Sequence, residues 1–128
     1  MRLSSHSRIR DSGLPDLYAP EARQHAPQEL PTEVLQFLLP SRYCESDRFG
    51  QMANEITAGQ LPGYNQVAAI EAWLRDTIRF DPYNGDVFLS AIEINARQWG
   101  VCRDLSHLGI ALCRSLSIPA RMVVGYLY

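Results

Sequence analysis

The chain has 128 residues, 46% of them hydrophobic, which suits one ordinary domain with a core of moderate size. Its 12 basic side chains are all arginine and stand against 14 acidic ones, so a formal charge of −2 offers no basic footprint for nucleic acid or an anionic membrane. No apolar run approaches the ~20 residues of a membrane-spanning helix, and the N-terminus has no apolar signal core. The three cysteines, Cys44, Cys102 and Cys113, are too few for a disulfide scaffold and lack the paired spacing of a structural zinc site. A cytoplasmic protein in a reducing compartment is expected, with no metal or cofactor and with neither nucleic acid nor membrane as a partner.

Residues 1–31 place Gly13, Pro15, Pro20, Pro27 and Pro31 among polar side chains, which predicts an extended or disordered leader ahead of a domain over 32–128. TEVLQFLLP is then a short apolar run closed by Pro40. SRYCESDRFGQMANEI predicts one helix, capped by Ser41 or Ser46, with Phe49, Met52, Ala53 and Ile56 on its buried face. YNQVAAIEAWLRDTIRF gives the clearest helical period, Val67, Ile70, Trp73 or Leu74, and Ile78, with Glu71 and Arg75 on the other side and a stop at Asp81-Pro82. VFLSAIEINARQWG suggests a further helix, broken at Gly100, although Val87, Ile92 and Ile94 are β-branched. CRDLSHLGIALCRSLS predicts a buried helix through Leu105, Leu108, Ala111 or Leu112, and Leu116. IPARMVVGYLY has the content of a central strand.

Cys102 follows Gly100, where the chain can turn, and opens the predicted buried helix. The unpaired N–H groups of a first helical turn favour a thiolate and could bind an oxyanion formed when that thiolate attacks an amide carbonyl. The plain alternative is a buried cysteine acting as a small hydrophobe. Cys113 lies on nearly the same helix face but roughly 16 Å along it, too far for a disulfide, and is expected in the core, while Cys44, just before or within a helix start, is expected to be structural. His107 is about 140° from Cys102 around the helix axis and does not face it. The same angles scatter Cys102, His107 and Cys113 away from a tetrahedral metal site.

The text GVCRDLSHLGIALCRSLSIPARMVVGYL, with LLPSRYCESDRF and IEAWLRDTIRFDP upstream, resembles the core of bacterial transglutaminase-like proteins, a branch of the papain-like cysteine enzymes. The resemblance covers about residues 34–128 and rests on G-x-C-R-D, the following H-L, IPAR and GYL in order. It implies an α+β fold, the N-terminal part of a transglutaminase-like core, mostly helical with one C-terminal β-strand. It makes Cys102 the nucleophile that attacks a peptide or protein carboxamide to form a thioester. It further implies oxyanion or cleft support from the Cys102 N–H and Trp99, a fixed helix start from Arg103 and Asp104, and a brace from Tyr43.

In the family the catalytic histidine and aspartate follow the GYL strand, beyond Tyr128, so an incomplete and inactive domain is expected. Its lone strand would pair with another copy of the chain. The alternative is a non-catalytic helical module for binding or assembly.

Overall fold

Four α-helices, α1 (Gly50–Ile56), α2 (Tyr64–Thr77), α3 (Ala91–Arg97) and α4 (Cys102–Ser115), are joined by two strands of two residues, β1 (Arg79–Phe80) and β2 (Trp99–Gly100). Three 3-10 helices, Pro27–Glu29, Thr32–Leu38 and Ser46–Arg48, precede them. This is a computed structural model, and it describes residues 3, 4, 6–8, 10, 12–14, 17–83, 85 and 88–125. The architecture is α+β, mostly helical with little strand.

Helix α4 lies at the centre, packed on α1, α2, α3 and the Ser46–Arg48 turn. Leu108, Ala111 and Leu112 are fully buried there and Ile110 nearly so, which spreads the apolar surface over more than the single stripe of a surface helix. Ala53 from α1, Ile70 from α2, Ala91 and Ile94 from α3, and Leu89 close the core around it. Burying a side chain the size of Leu108 contributes about 1.5–3 kcal/mol, so these few residues carry much of the fold.

Most of the helices start in the same way. The residue before the helix donates its backbone N–H to the side chain of the third helical residue: Ala26 to Glu29 at 2.8 Å, Gly63 to Gln66 at 3.3 Å, Ser90 to Glu93 at 2.9 Å and Val101 to Asp104 at 3.1 Å. This is the reach-back half of a capping box, and it fixes where the helix begins whatever residue stands before it.

The segment before α1 departs from the single helix expected from Ser41 onward. Ser41 and Cys44 exchange backbone hydrogen bonds of 3.0 Å in each direction, which closes a tight turn, and Ser46–Arg48 is a separate 3-10 turn. Helix α1 begins only at Gly50, after Phe49, so neither Ser41 nor Ser46 caps it. The apolar face is as expected, with Phe49 and Ala53 buried and Met52 and Ile56 packed against the core. Periodicity located the face, whereas the turn was decided by a local backbone pairing.

Helix α2 ends at Thr77, before Asp81-Pro82, because Ile78 turns to extended backbone and leads into β1. Strand β1 pairs in parallel with β2, Arg79 opposite Trp99 and Phe80 opposite Gly100, with α3 as the crossover between them. The helix expected across VFLSAIEINARQWG is thereby shortened at both ends. Phe88, Leu89 and Ser90 lie outside it, Trp99 and Gly100 leave it for β2, and Val87 falls outside the described residues. Gln98 takes a left-handed conformation, φ 59°, and ends α3.

Part of the leader is docked. Gln24 donates its backbone N–H to the Pro62 carbonyl at 3.2 Å and its side-chain N–H to the Leu116 carbonyl at 2.8 Å, while Tyr64 donates to Ala22 at 3.0 Å. Gly63 makes this approach possible. Its φ is 115°, and a Cβ there would sit 2.3 Å from the Ala22 oxygen.

At the other terminus, the guanidinium of Arg114 donates to the Ala120 carbonyl at 2.9 and 2.7 Å and to the Leu39 carbonyl at 2.8 Å. The Ala120 N–H donates to Phe37 at 3.1 Å, so the chain is pinned as far as Ala120. The strand expected over IPARMVVGYLY is absent among the described residues: 118–125 has no strand pairing, Val123 and Val124 are 79% and 86% exposed, and 126–128 lie outside the described set. Strand content is a capacity to pair. A strand forms only where a second edge accepts its N–H and carbonyl groups.

Candidate active site

Three cysteines occupy three environments. Cys44 is buried, Cys113 is half-buried on α4, and Cys102, the first residue of α4, is exposed. Burial pushes the Cys113 thiol up to about 11 and raises that of Cys44 as well, which holds both as neutral thiols. Cys44 is part of the core, whereas Cys113, expected there, is half-buried and packs against its edge.

The turn before Cys102 is fixed by one carboxylate. Asp104 is fully buried, and its Oδ2 accepts the Val101 N–H at 3.1 Å. Its Oδ1 accepts from Arg103 Nε at 3.0 Å, the paired charge that a buried carboxylate requires. The carboxylate folds back so closely on Gly100 that a Cβ at that position would lie 2.8 Å from the Asp104 Cβ. Glycine at 100 is therefore a consequence of aspartate at 104.

The helix start remains open toward Cys102. The cap residue, Val101, has no side-chain acceptor to place over the first-turn amides, and its carbonyl takes the N–H groups of Asp104 and Leu105 at 2.9 and 3.0 Å. Among the described residues no group accepts the Cys102 N–H. An exposed thiol thus stands beside an unpaired, outward backbone donor at the positive end of a helix.

Arg103 and Asp104 stand beside Cys102 as a paired lock. Arg103 also donates to the Gly85 carbonyl at 3.3 Å and lies 4.4 Å from the centre of the Phe88 ring. Trp99 is half-buried on β2, with the Arg97 guanidinium 5.6 Å from its ring. Tyr43 stacks on His107 at 5.2 Å and accepts the Ala91 N–H at 2.9 Å, which braces α3 against α4.

His107 is buried, with Nδ1 3.0 Å from the Leu89 carbonyl. A carbonyl only accepts, so Nδ1 carries the proton and donates it there. His107 is committed to packing α4 against Leu89 and Tyr43, as its angle from Cys102 implied.

Gly85 and Phe88 were missed in the sequence, since only folding of the 81–90 loop brings them to Arg103. Ser106 was also missed; its Oγ donates to the Cys102 carbonyl at 2.8 Å. That pair follows from ordinary i, i+4 helix spacing and could have been found. Ser106 also opens an apolar groove of about 630 Å3 that runs between α2 and α4 past Leu74, Leu105 and Cys113 to Met122.

Known proteins resemble this chain in sequence and fold. An uncharacterised protein of Mycobacterium leprae is 33% identical over 97 residues, a match covering 75% of this chain and 33% of the relative. The crystal structure of a proposed cysteine protease from Cytophaga hutchinsonii superposes with a TM-score of 0.68 at 38% identity, over 72% of this chain and 32% of that one. The chain therefore spans about a third of the length of either. Residues 50–128, from the first residue of α1 through the cysteine helix, match the family model of the transglutaminase-like superfamily, and the chain belongs to that superfamily.

Proposed function

We propose that Cys102 is the nucleophile of an acyl-transfer site that acts on a peptide or protein carboxamide. The observation that carries this reading is the exposed thiol at the first residue of α4, beside its own unpaired N–H. The Cys102 thiolate attacks the carbonyl carbon, the Cys102 N–H receives the developing oxyanion, and the C–N bond breaks once an acid from outside these residues protonates the nitrogen, leaving a thioester and an amine. Asp104 and Arg103 hold the helix start in place, Trp99 flanks it on β2, and Tyr43 supports it from behind through His107. The proposed protease activity of the Cytophaga hutchinsonii relative is in line with a polypeptide substrate.

The amine can leave, and the thioester can be resolved, only with an acid and a base near the sulfur. His107 is turned to the Leu89 carbonyl, His25 lies against Glu29 and His6 is exposed in the leader, so the 128-residue chain alone is expected to be acylated by an activated ester and not by a carboxamide. An activated ester, whose leaving group departs without a proton, separates the two steps. Incubation with the p-nitrophenyl ester of acetylglutamine should release one equivalent of nitrophenolate per chain and add one acyl group to the Cys102 peptide. Cys102→Ala should abolish both, and a glutamine peptide should release no ammonia. Failure of the ester to modify Cys102 in the folded chain would overturn the proposal in favour of a non-catalytic binding module.

A further inference from the structure

Phe88 is 64% exposed yet held from two directions. The Arg103 guanidinium lies 4.4 Å from the ring centre, and the Tyr43 ring is 6.4 Å away, tilted by 36°. Both supports are themselves anchored, Tyr43 by its stack on buried His107, and Arg103 by its bonds to Asp104 and the Gly85 carbonyl. A phenyl ring fixed in this way loses rotamer freedom and still faces water, an arrangement that stabilises the fold little and favours any apolar group that covers it. The ring also has a defined place. A Cβ on Gly85 would lie 3.3 Å from a Val101 methyl group, so Gly85 borders the turn that carries the thiol, and Phe88 lies against the side chain of Arg103, the residue that follows Cys102.

We propose that Phe88 is a specificity-determining residue of the Cys102 site, its exposed ring receiving an apolar or aromatic side chain next to the reacting carboxamide of a polypeptide substrate. The inference rests on Cys102 as the nucleophile. An aromatic partner on such a ring is worth about tenfold in rate or affinity.

The test uses the folded chain and two electrophiles of the same chemistry, iodoacetamide and N-benzyl iodoacetamide. The rate of each at Cys102 is divided by its rate with glutathione, so that only the contribution of the protein remains. The benzyl reagent should gain about tenfold over iodoacetamide. Phe88→Ala should remove that gain, Phe88→Tyr should retain it, and Phe88→Leu should leave an intermediate value. A wild-type ratio near one, or a gain that survives in Phe88→Ala, would overturn the assignment. The normalised iodoacetamide rate reports on the nucleophile by itself, so a failure of the Cys102 reading and a failure of the Phe88 assignment give different results.

Discussion

Cys102 and Cys113 belong to one helix, yet its two ends give them opposite surroundings. At the first turn of α4 the surroundings are polar: a buried carboxylate, a paired arginine, a glycine that lets the chain fold back, and a thiol left outside. At the last turn the surroundings are apolar, the thiol is half-buried and pushed up to about 11, and the nearby arginine is spent on backbone carbonyls. A cysteine becomes available for chemistry when the groups around it solvate its anion. It becomes packing when they exclude water.

The largest expected contrast is in thiol chemistry. Brief iodoacetamide treatment of the folded chain at neutral pH should label Cys102 ~100-fold faster than Cys113, and also faster than Cys44, because a raised, buried thiol holds almost no thiolate. Peptide mass spectrometry reads the ratio directly. Comparable labelling of Cys113 would erase the distinction between the two ends.

Next in size is the cost of opening the polar end. Asp104→Ala removes the acceptor for the Val101 N–H and the carboxylate paired with Arg103, and should lower stability by about 3 kcal/mol in urea denaturation. Asp104→Asn keeps an oxygen for Val101 and should cost less. If Asp104→Ala proved neutral, the buried carboxylate would not be what holds the thiol in place.

Arg114→Ala attacks the other end. Its bonds to the Ala120 and Leu39 carbonyls tie α4 to the segments on either side, and their loss should cost about 2 kcal/mol while the Cys102 labelling rate stays unchanged. A slower Cys102 in that variant would show that the two ends are coupled.

The smallest effect is confined to alkaline pH. In the fold the Cys113 thiol is pushed up to about 11, against an ordinary 9.0, so its contribution is fully present below about pH 9 and is lost as pH rises toward 11. Thermal melts of the wild type should therefore decline over that window more than those of Cys113→Ala. Parallel melting curves would assign the decline to other groups.

The N-terminal strap and the C-terminal segment show where sequence reasoning stopped. Both lack regular periodicity, and the sequence suggests an extended leader and an ordered strand. The leader found partners, because Gly63 leaves room for Ala22 to approach and Gln24 reaches Leu116. Among the described residues, 121–125 pair with no strand, although Val123 and Val124 are good strand formers. Pairing depends on a second surface that propensity does not describe.

The sequence by itself determined the cysteine helix and its buried face, because the 3.6-residue period and the carboxylate at the third helical position act within a few residues of each other. It also carried the family signature around Cys102 and the angle that turns His107 away from it. Tertiary structure alone decided that β1 would pair with β2, that α2 would stop early to allow it, and that Gly85 and Phe88 would meet Arg103. The physical reason is range. Helices and caps are settled by neighbours along the chain, whereas strand pairs, ion-pair anchors and ring contacts join residues that only packing brings together.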